Sequence, residues 1–228
     1  MLWNDHSDTK PTYFWAEVKG FLMITVWGRA NSTNVIKVLW LCEELNLPFI
    51  RKDVGGPFGG LQTPEFLALN PNGVIPVIED DGAAVWESQS ILRYLAQKYR
   101  PNDLYPEEPA ARSHIERWLD WHISTLAPAL NPVFIALYRT PPEKRDQAAL
   151  DAMIERLAAV MARLEAHLSA QPLIAGASFS IADVGFGNSV WRWFSFPIER
   201  PKLPHLERWQ SRVSDRPGYR KYVAQPLS

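Results

Sequence analysis

Gly73-Val74-Ile75-Pro76-Val77-Ile78 leads through Asp80-Asp81-Gly82 and Ala83-Ala84-Val85-Trp86 to Glu87-Ser88. A proline inside an apolar, β-branched run is out of place, because it cannot donate a ladder hydrogen bond. It is tolerated where a strand begins, at a sheet edge, or after a cis peptide bond. At such a point the backbone of the preceding residue, Ile75, is free to bind something other than a neighbouring strand. Asp80-Asp81-Gly82 reads as a tight hairpin turn and Ala83 to Trp86 as the returning strand. Glu87-Ser88 then opens a helix with apolar positions Ile91, Leu92, Leu95 and Tyr99. A helix N-terminus with a hydroxyl and free N–H groups is an anion site, and a carboxylate beside it holds an ammonium group. Together they suit an α-amino acid head group.

Upstream, Ile24 to Trp27 reads as a strand and Gly28 to Asn34 as a polar loop. A helix follows from about Val35 to Leu45, with Val38, Leu39, Leu41, Cys42 and Leu45 apolar, and Asn46-Leu47-Pro48 ends it. Phe49 to Val54 is a second strand, so this stretch predicts a right-handed βαβ unit with a parallel pair. Gly55 to Gly60 is glycine-rich but lacks the Lys-Ser/Thr of a phosphate-binding loop. Thr63-Pro64-Glu65-Phe66 opens a short helix. The proline-rich stretch from Arg100 to Pro109 marks a domain boundary. Beyond it the segments 110–126 and 144–169 carry helical apolar spacing. Ser180-Ile181-Ala182-Asp183 fits the hydroxyl-x-x-acid cap that starts a helix. Pro204 to Val213 and Tyr219 to Val223 complete the chain.

Composition narrows the function classes. A chain of 228 residues with 46% hydrophobic residues holds a substantial core. A net charge of −1 with scattered basic residues argues against nucleic acid or an anionic membrane surface as partner. No run approaches the roughly 20 apolar residues of a membrane helix. The single cysteine, Cys42, excludes an intramolecular disulfide framework and any CxxC motif, which points to a reducing compartment. The five histidines do not cluster at metal-ligand spacing, so no metal is expected, and His114 and His122 read as surface or partly buried residues. Residues 1–22 look foreign to the rest of the chain and are expected to be a disordered extension, with Met23 starting the folded unit.

Two stretches, Asn70-Pro71-Asn72-Gly73-Val74-Ile75-Pro76 and Trp86-Glu87-Ser88-Gln89-Ser90-Ile91, resemble the glutathione-binding half of the glutathione S-transferases. The resemblance covers nearly all of residues 23–228. It implies a thioredoxin-like βαβ-α-ββα N-terminal domain at 23–100, a linker at 101–108 and an all-helical bundle at 109–228. In that family the residue before a cis-proline pairs through its backbone with the cysteinyl part of glutathione, a role that falls on Ile75 before Pro76. The acid–hydroxyl pair that holds the γ-glutamyl end falls on Glu87 and Ser88. Where bacterial relatives carry a lysine for the glycyl carboxylate, this chain has Val74, and Gln62, Lys52 and Arg29 are the residues available to replace it.

The implied chemistry is attack by a glutathione thiolate on a hydrophobic electrophile. A free thiol has a pKa of about 8.5, so a donor must stabilise the thiolate near neutrality. Ser32 falls where serine-type transferases place their activating hydroxyl, and Asn34 where some bacterial relatives place an amide donor. Both residue types also favour simple helix capping. No tyrosine lies in this loop, and Cys42 lies in the following helix, so tyrosine-type and cysteine-type subclasses are disfavoured. Trp118, Trp121 and Trp191 are candidates to line the electrophile pocket, as are Phe134, Tyr138 and Trp193, although for each single aromatic a core position is the plainer reading. The resemblance further implies a cytoplasmic homodimer. Two alternatives stay open: a glutathione-dependent disulfide reductase or peroxidase, and a non-catalytic binding protein of the same fold.

Overall fold

The computed structural model describes residues 23–227; residues 1–22, expected to be a disordered extension, lie outside the described residues. The first half is α/β. Strands β1 (Ile24–Trp27), β2 (Phe49–Lys52), β3 (Val77–Asp80) and β4 (Ala83–Trp86) form one sheet in the order β2-β1-β3-β4. β1 pairs parallel with β2, and β3 pairs antiparallel with both β1 and β4. The parallel pair is joined through α1 (Thr33–Glu44), while α2 (Pro64–Leu69) precedes β3 and α3 (Ser88–Lys98) follows β4. This is the thioredoxin-like order that the sequence predicts. The hairpin turn is Asp81-Gly82, with φ of +52° and +78°. Positive φ at both turn residues matches the twist of an antiparallel pair, and glycine tolerates it without strain.

The second half is helical: α4 (Pro109–Trp121), α5 (Ala127–Tyr138), α6 (Gln147–Leu168), α7 (Ile181–Ser195) and α8 (Pro204–Ser214). Two boundaries differ from the sequence reading. The second strand stops at Lys52 rather than Val54, and the first helix starts at Thr33, two residues early, with Ser32 at its N-cap. The segment read as one helix over 110–126 is instead α4, a π turn at His122–Leu126, and α5 beyond it. α5 carries Pro128 near its start and Pro132 inside it, which hid its helical period from a sequence reading.

The Ser180 cap forms as predicted. Ser180 Oγ accepts from the Ala182 N–H at 3.3 Å, and Asp183 Oδ2 accepts from the Ser180 N–H at 2.9 Å. Asp183 Oδ1 also accepts from the Ile174 N–H and from Trp209 Nε1, so one buried carboxylate joins α7, α8 and the loop before α7. The main hydrophobic core runs from the sheet into the helices, and a smaller cluster of Trp27, Val54, Phe66 and Val77 lies beside it. Trp40 of α1 is fully buried and meets Tyr219 edge-on at 5.3 Å. A side chain at Gly187 of α7 would strike the Trp40 ring, so this glycine is what lets α1 and α7 pack closely.

Candidate active site

A cleft of about 350 Å3 opens between the N-terminus of α1 and the helical half. Its floor is Ser32, Thr33, Asn34 and Lys37 from α1, with Glu87 and Ser88 at the start of α3. Its far wall is Ile123, Ala127, Phe134 and Ile135 around α5, joined by His122, Ser189 and Arg192. The structure therefore brings together six of the residues singled out in the sequence: Ser32, Asn34, Glu87 and Ser88, with Arg29 and Phe134.

Ser32 stands at the N-cap of α1 with extended φ and ψ, yet its side chain makes no capping bond. Ser32 borders the cleft at the start of α1, where the first N–H groups of a helix have no partner within the helix itself. Asn34 behaves differently. Its Oδ1 accepts from Lys37 Nζ at 3.1 Å and from Ser88 Oγ at 3.4 Å. Lys37 Nζ and the Ser88 hydroxyl both donate to this oxygen, so the oxygen is the engaged end of the amide. The amide NH2, a donor, is the end left for the cleft.

Lys37 is 2% exposed, and burial is the main reason its ammonium is pushed down to about 7, with Arg192 adding to the effect and Glu87 opposing it. His122, also buried, bonds through Nε2 to Ser189 Oγ at 2.8 Å. Burial, then Lys37, hold it well below the usual histidine range, so the ring is neutral at pH 7. The expectation that His122 is a surface or partly buried residue is corrected: it is 3% exposed and borders the cleft.

The Ile75–Pro76 peptide is cis. The β1–β3 register begins at Trp27–Val77, which leaves Ile75 outside the ladder. Gly28 lies against Ile75 with φ +147°, a conformation suited to glycine, and a Cβ there would strike Val35. Glu87, at the N-cap of α3, has φ +69°. For a non-glycine residue this costs about 1–3 kcal/mol and is found where function holds the backbone in place. Gln62 lies beside Gly73, outside the cleft lining. Val74 is exposed, with its carbonyl held by Asn70 Nδ2 at 2.8 Å, and Lys52 Nζ sits 4.1 Å over the Trp27 ring.

The three tryptophans proposed for the electrophile pocket lie elsewhere. Trp118 packs on His167 at 4.1 Å and edge-on against Trp121, and Trp121 stacks parallel to Phe186. Trp191 donates Nε1 to the Gln225 carbonyl at 2.9 Å and meets Tyr219 edge-on. They fill seams between helices, the plainer role for an aromatic. Of the other candidates Phe134 lines the cleft, Tyr138 stacks behind it, and Trp193 is fully buried. Sequence reasoning missed Lys37, Ser189 and Arg192. A charged residue at a core-facing helical position was the signal available for Lys37.

Models of the glutathione S-transferase N-terminal and C-terminal domains match residues 31–98 and 126–217. Glutathione S-transferase GstB of Escherichia coli K12 is 41% identical over 208 residues, covering 90% of this chain and all of that protein. The chain belongs to the glutathione S-transferase family. A theta class glutathione S-transferase from Xanthomonas axonopodis pv. citri, solved with glutathione bound, superposes with a TM-score of 0.86 at 44% identity, covering 90% of this chain and 99% of that one. Glutathione S-transferase 3 of Zea mays is 32% identical over 209 residues, 88% of this chain and 93% of that relative. The protein is thus a glutathione transferase with glutathione as co-substrate, and the reductase, peroxidase and non-catalytic readings are not favoured. Among the described residues no helix of this transferase is long and apolar enough to cross a membrane.

Proposed function

We propose that this transferase activates the glutathione thiol with the Asn34 amide and the Ser32 hydroxyl at the start of α1, for attack on a small electrophile held against α5. The observation that carries the reading is the fixed Asn34 amide, whose oxygen is occupied by Lys37 and Ser88. Its NH2 and the uncapped Ser32 hydroxyl are two donors in one cleft, next to a helix N-terminus that favours negative charge. A thiolate sulfur accepting from both has its pKa lowered toward neutrality. The γ-glutamyl end lies against Glu87 and Ser88, the cysteinyl backbone pairs at Ile75 beside Pro76, and Gln62 reaches the glycyl end. His122, neutral and buried, supports the far wall through Ser189 and takes no proton in the reaction.

The same reading divides the chain at 101–108 into a glutathione-binding domain at 23–100 and a helical domain at 109–228. A homodimer is supported by apolar residues left exposed on the α/β half, among them Phe58, which is 56% exposed, and Trp86. A cytoplasmic setting is supported by the lone, unpaired Cys42 and by glutathione itself as co-substrate.

The test is steady-state turnover of an aryl halide by Asn34→Ala and Ser32→Ala, with the pH dependence of kcat/KM. Loss of one donor is expected to lower kcat about 10–100-fold and to move the pH profile upward. Full activity in both variants overturns the assignment. Glu87→Ala is expected to raise the KM for glutathione, and an unchanged value removes the γ-glutamyl site.

A further inference from the structure

Arg29, Arg139 and Arg192 line one end of the cleft, reaching it from the loop after β1, the end of α5 and the body of α7. Arg192 is 7% exposed, and its guanidinium lies 3.9 Å over the Phe134 ring. Its Nε has no hydrogen-bond partner. Among the described residues neither Arg29 nor Arg192 takes part in an ion pair. Burial and then the like charges of Arg139 and Arg29 hold Arg192 down to about 10. A buried cation is ordinarily paired, because an uncompensated charge away from water is costly. Here the charges that face Arg192 from α5 and from the loop after β1 are also positive. The carboxylate that lines the cleft, Glu87, stands at the start of α3 and pairs with neither Arg29 nor Arg192.

We propose that the second substrate is an electrophile bearing an oxyanion, a carboxylate or sulfonate, received by Arg192 with Arg29 while its apolar body lies on Phe134. This rests on the transferase reading of the cleft and departs from it in the chemistry of the electrophile, which the sequence led one to expect as simply hydrophobic. Guanidinium groups bind oxyanions through paired N–H donors, and the Arg192 guanidinium borders the cleft beside the Phe134 ring. For an aryl halide acid the reaction is direct. The thiolate sulfur attacks the ring carbon that carries the halogen and a C–S bond forms. The C–halogen bond breaks, halide leaves with the bonding pair, and the thiol proton passes to solvent. The anionic group stays on the ring and orients it.

The experiment compares 4-chloro-3,5-dinitrobenzoate with 4-chloro-3,5-dinitrobenzamide, a charged and a neutral substrate of similar shape. Each rate is taken relative to the uncatalysed reaction with glutathione. The wild-type protein is expected to accelerate the benzoate about tenfold more than the amide, the factor that one charge-assisted contact supplies. Arg192→Gln is expected to reduce that preference toward unity. Arg192→Lys, which keeps the charge, is expected to retain part of it and guards against a folding defect. Equal acceleration of the two substrates by the wild type overturns the proposal, as does a preference that survives Arg192→Gln. If Arg192→Gln raises the KM for glutathione and leaves the preference intact, the arginine holds the tripeptide's own carboxylate, and the proposal also fails. Failure to turn over either substrate counts against the transferase reading itself and takes the proposal with it.

Discussion

A primary amide is ambiguous until its neighbours fix which end donates, and at Asn34 the oxygen accepts from the buried Lys37 Nζ at 3.1 Å and from Ser88 Oγ at 3.4 Å. Lys37→Met removes that constraint and lets the amide turn its oxygen toward the thiolate. We expect kcat with an aryl halide to fall about tenfold, in line with a lost donor, with less effect on the KM for glutathione and partial rescue in Lys37→Arg. The same residue makes a stability prediction. A lysine titrates near 10.4 when unfolded and at about 7 here. Between those values the unfolded chain holds a proton that the folded protein has shed, so stability from this group rises with pH, at most about 1.4 kcal/mol per unit. Below pH 7 both states are protonated, so the slope vanishes and the full cost of burying the charge remains. Urea unfolding at pH 6 and pH 9 should show this rise in the wild type and lack it in Lys37→Met, and equal pH dependence in the two would remove the argument. Cys42 behaves oppositely as a thiol: burial, then Asp80 and Glu43, push it up to about 12. A disulfide reagent should leave the native protein unmodified and label it once urea unfolds it.

At the scale of elements, the cap of α7 shows how much one carboxylate carries. Asp183 receives the Ser180 N–H and Oγ, the Ile174 N–H and Trp209 Nε1, and it is fully buried. Asp183→Ala leaves those donors unsatisfied, and we expect a loss of about 3–5 kcal/mol in urea unfolding, with Asp183→Asn retaining part of the stability. A loss under about 1 kcal/mol, the size of a single ordinary hydrogen bond, would mean that the cap is incidental. Ser180 and Asp183 could be read from the sequence because a cap is a local pattern a few residues long. The strands and the Asp81-Gly82 turn were legible for the same reason, whereas the local pattern at Pro76 left a strand start, a sheet edge or a cis bond open and only the family resemblance pointed to cis. The wall of the cleft was not. α5 contains two prolines that mask its period, so Phe134 stood in the sequence behind the three tryptophans Trp118, Trp121 and Trp191. Trp118, Trp121 and Trp191 drew attention by size, but only packing decides whether a large ring faces a seam or a cavity. Lys37 and Arg192 were hidden for a related reason, because their roles depend on which helices close over them.

The whole molecule ties the thiol site to its C-terminal end. α1 carries Ser32 and Asn34 at its start, and its other end is gripped by residues from the far end of the chain: Arg216 Nε bonds Glu44 at 2.9 Å and Lys221 Nζ bonds Glu43 at 2.8 Å. Trp40, one turn before them, sits against Phe179 and Tyr219 at 5.9 and 5.3 Å. The helix that aims the donors is therefore part of the core of both halves, although its sequence belongs to the first. Chains of two domains often unfold in separate steps, but here separating the halves exposes Trp40 and uncovers α1. We expect thermal unfolding followed by tryptophan fluorescence and by far-ultraviolet circular dichroism to give one coincident transition. Trp40→Ala should cost about 3–5 kcal/mol through the cavity it leaves, and should lower glutathione turnover in the folded fraction because α1 loses its anchor. Two resolved transitions in the wild type, with the glutathione site surviving the first, would mean that the α/β half positions its donors alone. A single transition that splits in Trp40→Ala would locate the coupling at this one side chain.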